Sequence, residues 1–216
     1  MNVEEYVTYK LCNAHVNVYP FPHFFVDHVF PGDFYDSLLD SLPDDKDYNQ
    51  MSDHYPDRYF GPDNVPFGCD FMASERFMKT VLAPFTPWIR KKYPEGHINI
   101  ASDIRLVRDK TGYRIGPHTD APWKMVSLLF YLPNGYGWID NGTSIYLPND
   151  SGFRCEGGPH YEFEDFRKVY TAPFVRNSCF AFFKTDNSFH GVEQITDKFD
   201  RNVLLYNVYD NDKVPK

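Results

Sequence analysis

The 216-residue sequence has no apolar run near the roughly 20 residues needed to cross a bilayer, so no membrane-spanning segment is expected. It has no cationic start followed by an apolar stretch. The opening MNVEEYVTYK is acidic and polar, so a secretory signal is not expected and a cytoplasmic setting is. Cysteine is sparse. Cys12, Cys69, Cys155 and Cys179 include no C-x-x-C pair, which argues against a zinc site or a disulfide framework and for reduced, mostly buried thiols. A basic run is missing too. The formal net charge is -8, and the densest basic cluster, Arg90-Lys91-Lys92, reads as the cap of a helix end. Nucleic acid is therefore not an expected partner. Internal repeats and low-complexity linkers are absent, and the length suits one domain.

What is abundant is aromatic and turn-forming. The chain holds 20 Phe, 16 Tyr and 3 Trp with 17 Pro and 13 Gly, a composition that favours pleated, half-buried surfaces joined by many turns. Residues 1–97 read as an N-terminal helical and irregular extension. Loose alternation suggests short strands near Tyr6–Lys10 and His15–Tyr19, and PFPHFFVDHVF reads as a strand ending at the Pro31-Gly32 turn. Phe34, Leu38 and Leu42 share a helical face, with Asp33 as the cap. Residues 44–70 are rich in Asp, Pro and Tyr and read as irregular. A second helix is expected from about Ser74 to Tyr93, broken or kinked at Pro84 and Pro87. Over 98–216 the period changes. INIASDIRLV, KMVSLLFYL, TSIYL, KVYTAPF, SCFAFF and RNVLLYNVY are short apolar segments between turn residues. Helices followed by many short strands predict an α+β, β-dominated chain built as an antiparallel sandwich or jelly roll, with the N-terminal helices packed on one sheet.

Within GPHTDAPWKMVSLLFYLP, His118 and Asp120 are two residues apart just before an apolar strand. In extended chain, residues i and i+2 point to one face, roughly 6.6 Å apart. An imidazole and a carboxylate hold a metal weakly without a third ligand. His190, far downstream in NSFHG, can supply it if a rolled sheet brings the chain back to the same mouth. Two histidines and one carboxylate on one face of a metal are the donor set of non-haem Fe(II) sites, which leave the opposite positions open. Arg201 opens the next strand, and a guanidinium is suited to grip a carboxylate in two-pronged fashion. Metal plus arginine is the arrangement that a dicarboxylic oxo-acid needs.

The segments TGYRIGPHTD, LLFYLP, NGTSIYLP, FHGV and RNVLLYNVY resemble the iron(II)/2-oxoglutarate-dependent dioxygenases, nearest to their prolyl-hydroxylase-like branch, over about Ile104 to Tyr209. PFPHFFVDHVFPGDFYDSLLDSLP resembles the segment that many members carry ahead of the barrel. The resemblance implies a double-stranded β-helix, a cupin-like jelly roll. It places His118, Asp120 and His190 as the catalytic iron ligands, Arg201 as the group gripping the distal carboxylate of 2-oxoglutarate, and Tyr131 as a second donor to that carboxylate. The implied cofactors are Fe(II), 2-oxoglutarate and O2, with ascorbate as a stimulating reductant. The implied activity is hydroxylation of an unactivated C–H of a small molecule or protein side chain, releasing succinate and CO2. Halogenating relatives replace the carboxylate ligand with a small residue; Asp120 fills that position and favours oxygenation. Two features depart from the pattern. Val203 and Leu205 stand where relatives often follow the arginine with serine or threonine. Leu106 or Arg108 stands where the branch often carries a tyrosine.

The alternative is a non-catalytic jelly roll that binds a sugar or metal, a role that leaves Arg201 without purpose. His15, His23 and His28 read as solvated or packed, and His54, His97 and His160 as free of chemistry. Lys124 reads as a solvated strand start, and Trp123 and Trp138 as mouth walls or partial core. Pro133 to Arg167 is the least regular stretch and the expected specificity element or lid. Grafting a relative's loop there is expected to change substrate choice and leave uncoupled 2-oxoglutarate decay intact.

Overall fold

Alternation along the strands decides the architecture. The computed structural model describes residues 1–63, 68–136 and 138–215; residues 64–67 of the segment read as irregular, Gly137 of the long loop and the final residue, 216, lie outside that description. A seven-stranded antiparallel sheet runs β1 (His23–Asp27), β9 (Ser178–Phe183), β6 (Lys124–Tyr131), β11 (Arg201–Asp210), β4 (Ile100–Asp109), β3 (Tyr55–Phe60) and β2 (Asn49–Ser52). A four-stranded antiparallel sheet runs β5 (Ile115–His118), β10 (His190–Val192), β7 (Ser144–Pro148) and β8 (Phe166–Thr171). Successive segments pass between the two sheets, as in the expected jelly roll. The helices are α1 (Val3–Cys12), α2 (Gly32–Asp40), α3 (Glu75–Leu82) and α4 (Thr86–Lys92).

Each central strand of the large sheet splits its residues between two cores. Val126, Leu128 and Phe130 of β6, and Leu204, Tyr206 and Val208 of β11, face the helices, where Val7, Leu11, Leu38, Phe77, Val81 and Phe85 meet them. The intervening Leu129 and Tyr131, with Val203 and Leu205, face the small sheet together with Phe180 and Phe182. A sheet covered on both sides reads as a continuous apolar run, which is why SCFAFF is buried throughout. The four cysteines are free, and Cys69, Cys155 and Cys179 are buried, as the thiol reading expected.

The N-terminal region differs from its sequence reading in four places, one of them the expected cap Asp33, which lies inside α2 behind an N-cap at Pro31. Residues 6–10 lie within α1. The Asn2 side chain accepts from the Glu5 N–H at 2.8 Å while Glu5 accepts from the Asn2 N–H at 3.0 Å, a capping box, and Val7 and Leu11 are buried one helical turn apart. Residues 15–19 form only an isolated bridge, Asn17 to His23. Residues 49–60, expected to be irregular, add β2 and β3 to the edge of the large sheet through pairing with β4. The second helix is interrupted as its prolines require: α3, capped by Ser74 accepting from the Phe77 N–H at 3.0 Å, gives way through a 3-10 turn to α4.

Candidate active site

The small sheet brings the two histidines together. His118 closes β5, His190 opens β10, and the antiparallel register sets them opposite each other, with ring centroids 4.3 Å apart. Each ring is fixed by its own backbone: His118 Nδ1 lies 2.9 Å from the Gly116 carbonyl and His190 Nδ1 2.9 Å from that of Ser188. A carbonyl there requires a proton on Nδ1, so both Nε2 lone pairs are left to coordinate. β5 ends at His118, so Asp120 reaches the site from the turn and not as a strand neighbour. One donor atom from each of His118, Asp120 and His190 lies within 4.8 Å of the others, and no other three His, Cys, Asp or Glu residues among those described converge in this way.

The turn is held in place by the loop that crosses it. Thr119 Oγ1 donates to the Cys155 carbonyl at 2.8 Å, and the Tyr161 N–H donates to the Pro117 carbonyl at 2.9 Å. Gly157 adopts φ +134 against the Asp120 carbonyl, where a side chain would collide.

Burial and charge prepare the donors. Burial lowers the pKa of His118 and His190 and outweighs the Asp120 carboxylate, which favours their charged forms. Burial of Asp120 works against its ionised form. It is outweighed by Lys124 and the two histidines, and by the Ser127 hydroxyl, so the carboxyl stays well below the usual range. Lys124 Nζ donates to Asp120 Oδ1 at 3.0 Å and Ser127 Oγ to Oδ2 at 2.7 Å. Two neutral imidazoles and an ionised carboxylate are the protonation states that a divalent metal requires. The donor set, the oriented tautomers and the cavity in front of them fit Fe(II).

Arg201 lines the same cavity of about 90 Å³ as the three donors. Its side chain is 1% exposed. Nε donates to the Asn141 carbonyl at 2.7 Å, Nη1 to Asp109 Oδ2 at 2.7 Å and Nη2 to Thr143 Oγ1 at 3.2 Å. Tyr131 is buried behind this wall. Its hydroxyl accepts from the Thr143 N–H at 3.0 Å, and its ring meets Phe174 edge-on at 5.0 Å. The hydroxyl that stands beside Arg201 in the cavity wall is therefore that of Thr143.

Other participants carry weaker sequence signals. Ser127 was reachable by alternation, because it shares the inward face of β6 with Leu129 and Tyr131. Lys124, read as solvated, is bonded to Asp120 one helical-turn spacing away. Arg58 lines the cavity from β3, and nothing local in YPDRYF announces it. The ring of His160, read as free of chemistry, lies 4.5 Å from that of His118 at a tilt of 58°, and its Nδ1 shares a 2.8 Å hydrogen bond with Tyr55 Oη. Trp138 stacks on Phe199 at 4.7 Å and lines a separate surface cleft of about 620 Å³, where Arg176 is paired with Asp36 and Arg108 with Asp45.

No family model matches the sequence, and a search of curated proteins finds no match. Solved structures do match in fold. A prolyl-4-hydroxylase from Pseudomonas putida is 15% identical with a TM-score of 0.58, over 95% of this chain and 97% of that one. A prolyl hydroxylase from Trichoplax adhaerens, in complex with a hypoxia inducible factor peptide fragment, is 13% identical with a TM-score of 0.53, over 97% and 90%. The epimerase SnoN, in complex with Fe3+, alpha ketoglutarate and nogalamycin RO, is 11% identical with a TM-score of 0.50, over 96% and 83%. At these identities the likeness is one of fold: the chain has the jelly roll on which 2-oxoglutarate/iron oxygenases are built.

Proposed function

We propose that this chain is an Fe(II)- and 2-oxoglutarate-dependent oxygenase of the prolyl-hydroxylase-like branch, hydroxylating an unactivated C–H of a small molecule or a protein side chain. The observation that carries the reading is that His118, Asp120, His190 and Arg201 line one cavity. When bound, Fe(II) with 2-oxoglutarate and O2 supplies the oxidising chemistry, and succinate and CO2 leave. The rest of the work falls to the chain. His118 and His190 present Nε2, Asp120 presents a carboxylate aimed by Ser127 and Lys124, and Arg201 with Thr143 holds the distal carboxylate of the co-substrate. Tyr131 positions Thr143 from behind, which answers the missing serine or threonine after Arg201. Phe182, Leu129 and Leu205 give the cavity apolar walls that limit water at the reacting end. The four free thiols support a reducing, cytoplasmic setting.

The test is succinate release from 2-oxoglutarate with added Fe(II) and ascorbate. Wild type gives uncoupled turnover, and Asp120→Ala gives none. Equal background release from both proteins would end the oxygenase reading and favour a binding module.

A further inference from the structure

Three strands set a row of charges at the buried end of the cavity. The register places Arg58 of β3 opposite Asp109 of β4, and Asp109 opposite Arg201 of β11. Asp109 is wholly buried and serves both cations. Its Oδ1 accepts from Arg58 Nε at 2.6 Å, and its Oδ2 accepts from Arg58 Nη2 at 2.9 Å and Arg201 Nη1 at 2.7 Å. Both arginines line the cavity.

An Arg201–Asp109 pair alone is neutral. It offers little to an incoming carboxylate, whose desolvation has to be offset by net attraction. With Arg58 present, two cations surround one anion and the cluster carries one positive charge. Arg201 then has an N–H free on each terminal nitrogen, since three of its five are given to Asn141, Asp109 and Thr143. Beside this cluster lies a further donor. The Tyr113 ring sits 4.2 Å from Arg58 Cζ, and its buried hydroxyl has no partner among the described residues. An excess cation with spare N–H groups near an orphaned hydroxyl is a site made for an anion.

We propose that Arg58 is a positioning residue for co-substrate binding: by engaging Asp109 it leaves the charge of Arg201 available to the distal carboxylate of a 2-oxo diacid. The inference rests on the oxygenase reading and assigns a function to an N-terminal strand outside the barrel segments. It also makes an unusual demand, that removing a second residue restores what removing the first destroys.

The experiment is calorimetric titration of 2-oxoglutarate into Mn(II)-loaded protein, with 2-oxobutyrate, which lacks the distal carboxylate, as the control. Arg58→Gln weakens 2-oxoglutarate binding roughly 10- to 100-fold and leaves 2-oxobutyrate unaffected. Adding Asp109→Asn to Arg58→Gln recovers most of the loss, because Arg201 is again an uncompensated cation. Arg58→Lys keeps the charge, gives up the fork and binds within a few-fold of wild type. Melting curves establish which variants are folded. A folded Arg58→Gln that binds like wild type overturns the inference, as does a folded double variant as weak as the single one. Should Arg58→Gln fail to fold, a folded Arg58→Lys with a tenfold or greater loss overturns it. A wild type that takes up Mn(II) but not 2-oxoglutarate overturns the oxygenase reading together with this one; a wild type that binds both, with the Arg58 variants unaltered, overturns this one alone.

Discussion

Ser127 and Lys124 hold the two oxygens of Asp120 at 2.7 and 3.0 Å, so neither oxygen is free to rotate away from the histidines. Such outer partners commonly matter to metal affinity by 10- to 100-fold, and Ser127→Ala is expected to weaken metal binding by roughly 10-fold or more with little change in fold. Metal titration by calorimetry, alongside a melting curve, checks this. The histidines carry a pH prediction. Their folded pKa values lie below the ordinary imidazole value. As pH falls below about 6.5, unfolded imidazoles take up protons that the folded ones resist, so the metal-free protein loses stability over that range. The same depression means that protons compete poorly with metal, and affinity stays level from pH 8 to about 6.5 before declining. Metal binding that drops tenfold between pH 8 and 7 would contradict this. At this scale the convergence of His118, Asp120, His190 and Arg201 on one cavity was legible, because His-x-Asp, a later His and an Arg at a strand start mark positions along the chain. Thr143, Asp109 and Arg58 were not, since their roles come from partners 51 to 92 residues away.

The turn between β5 and β6 carries Asp120, and its geometry depends on the loop packed over it. Gly157, at φ +134 against the Asp120 carbonyl, is a tight point of that packing. Gly157→Ala is expected to cost about 1–3 kcal/mol through backbone strain and to weaken metal binding by displacing Asp120. Equal metal affinity in the two proteins would mean that the loop does not brace the turn. The elements also show where sequence patterns mislead. Short alternation at residues 6–10 fits strand or helix, and only the Asn2/Glu5 cap and the buried pair Val7 and Leu11 decide for helix. β2 and β3 were hidden because YPDRYF alternates charge with aromatics under a proline and gains its order from pairing with β4. β6, β9 and β11 were legible because each is largely buried on both faces and bounded by turn residues.

For the molecule as a whole, the cluster of His118, Asp120 and His190 joins β5, the turn after it and β10, while Arg201 joins the large sheet to the segment entering β7. On the proposed reading, bound metal and co-substrate together would fasten one sheet to the other and favour the folded state by mass action. At concentrations 100-fold above Kd the gain is about 2.7 kcal/mol, or a rise of roughly 5–10 °C in Tm for a chain of this size. Melting curves with Mn(II), with Mn(II) and 2-oxoglutarate, and with excess chelator check this, and identical curves would count against a cross-sheet site. The tie between Arg201 and the chain ahead of β7 also redraws the boundary of any loop exchange. Asn141 and Thr143 lie inside the Pro133–Arg167 stretch yet touch the guanidinium. On the proposed reading, substrate choice and co-substrate grip share one length of backbone, and a transplant that spares the second has to begin beyond β7, in the 149–162 arc packed over the Asp120 turn.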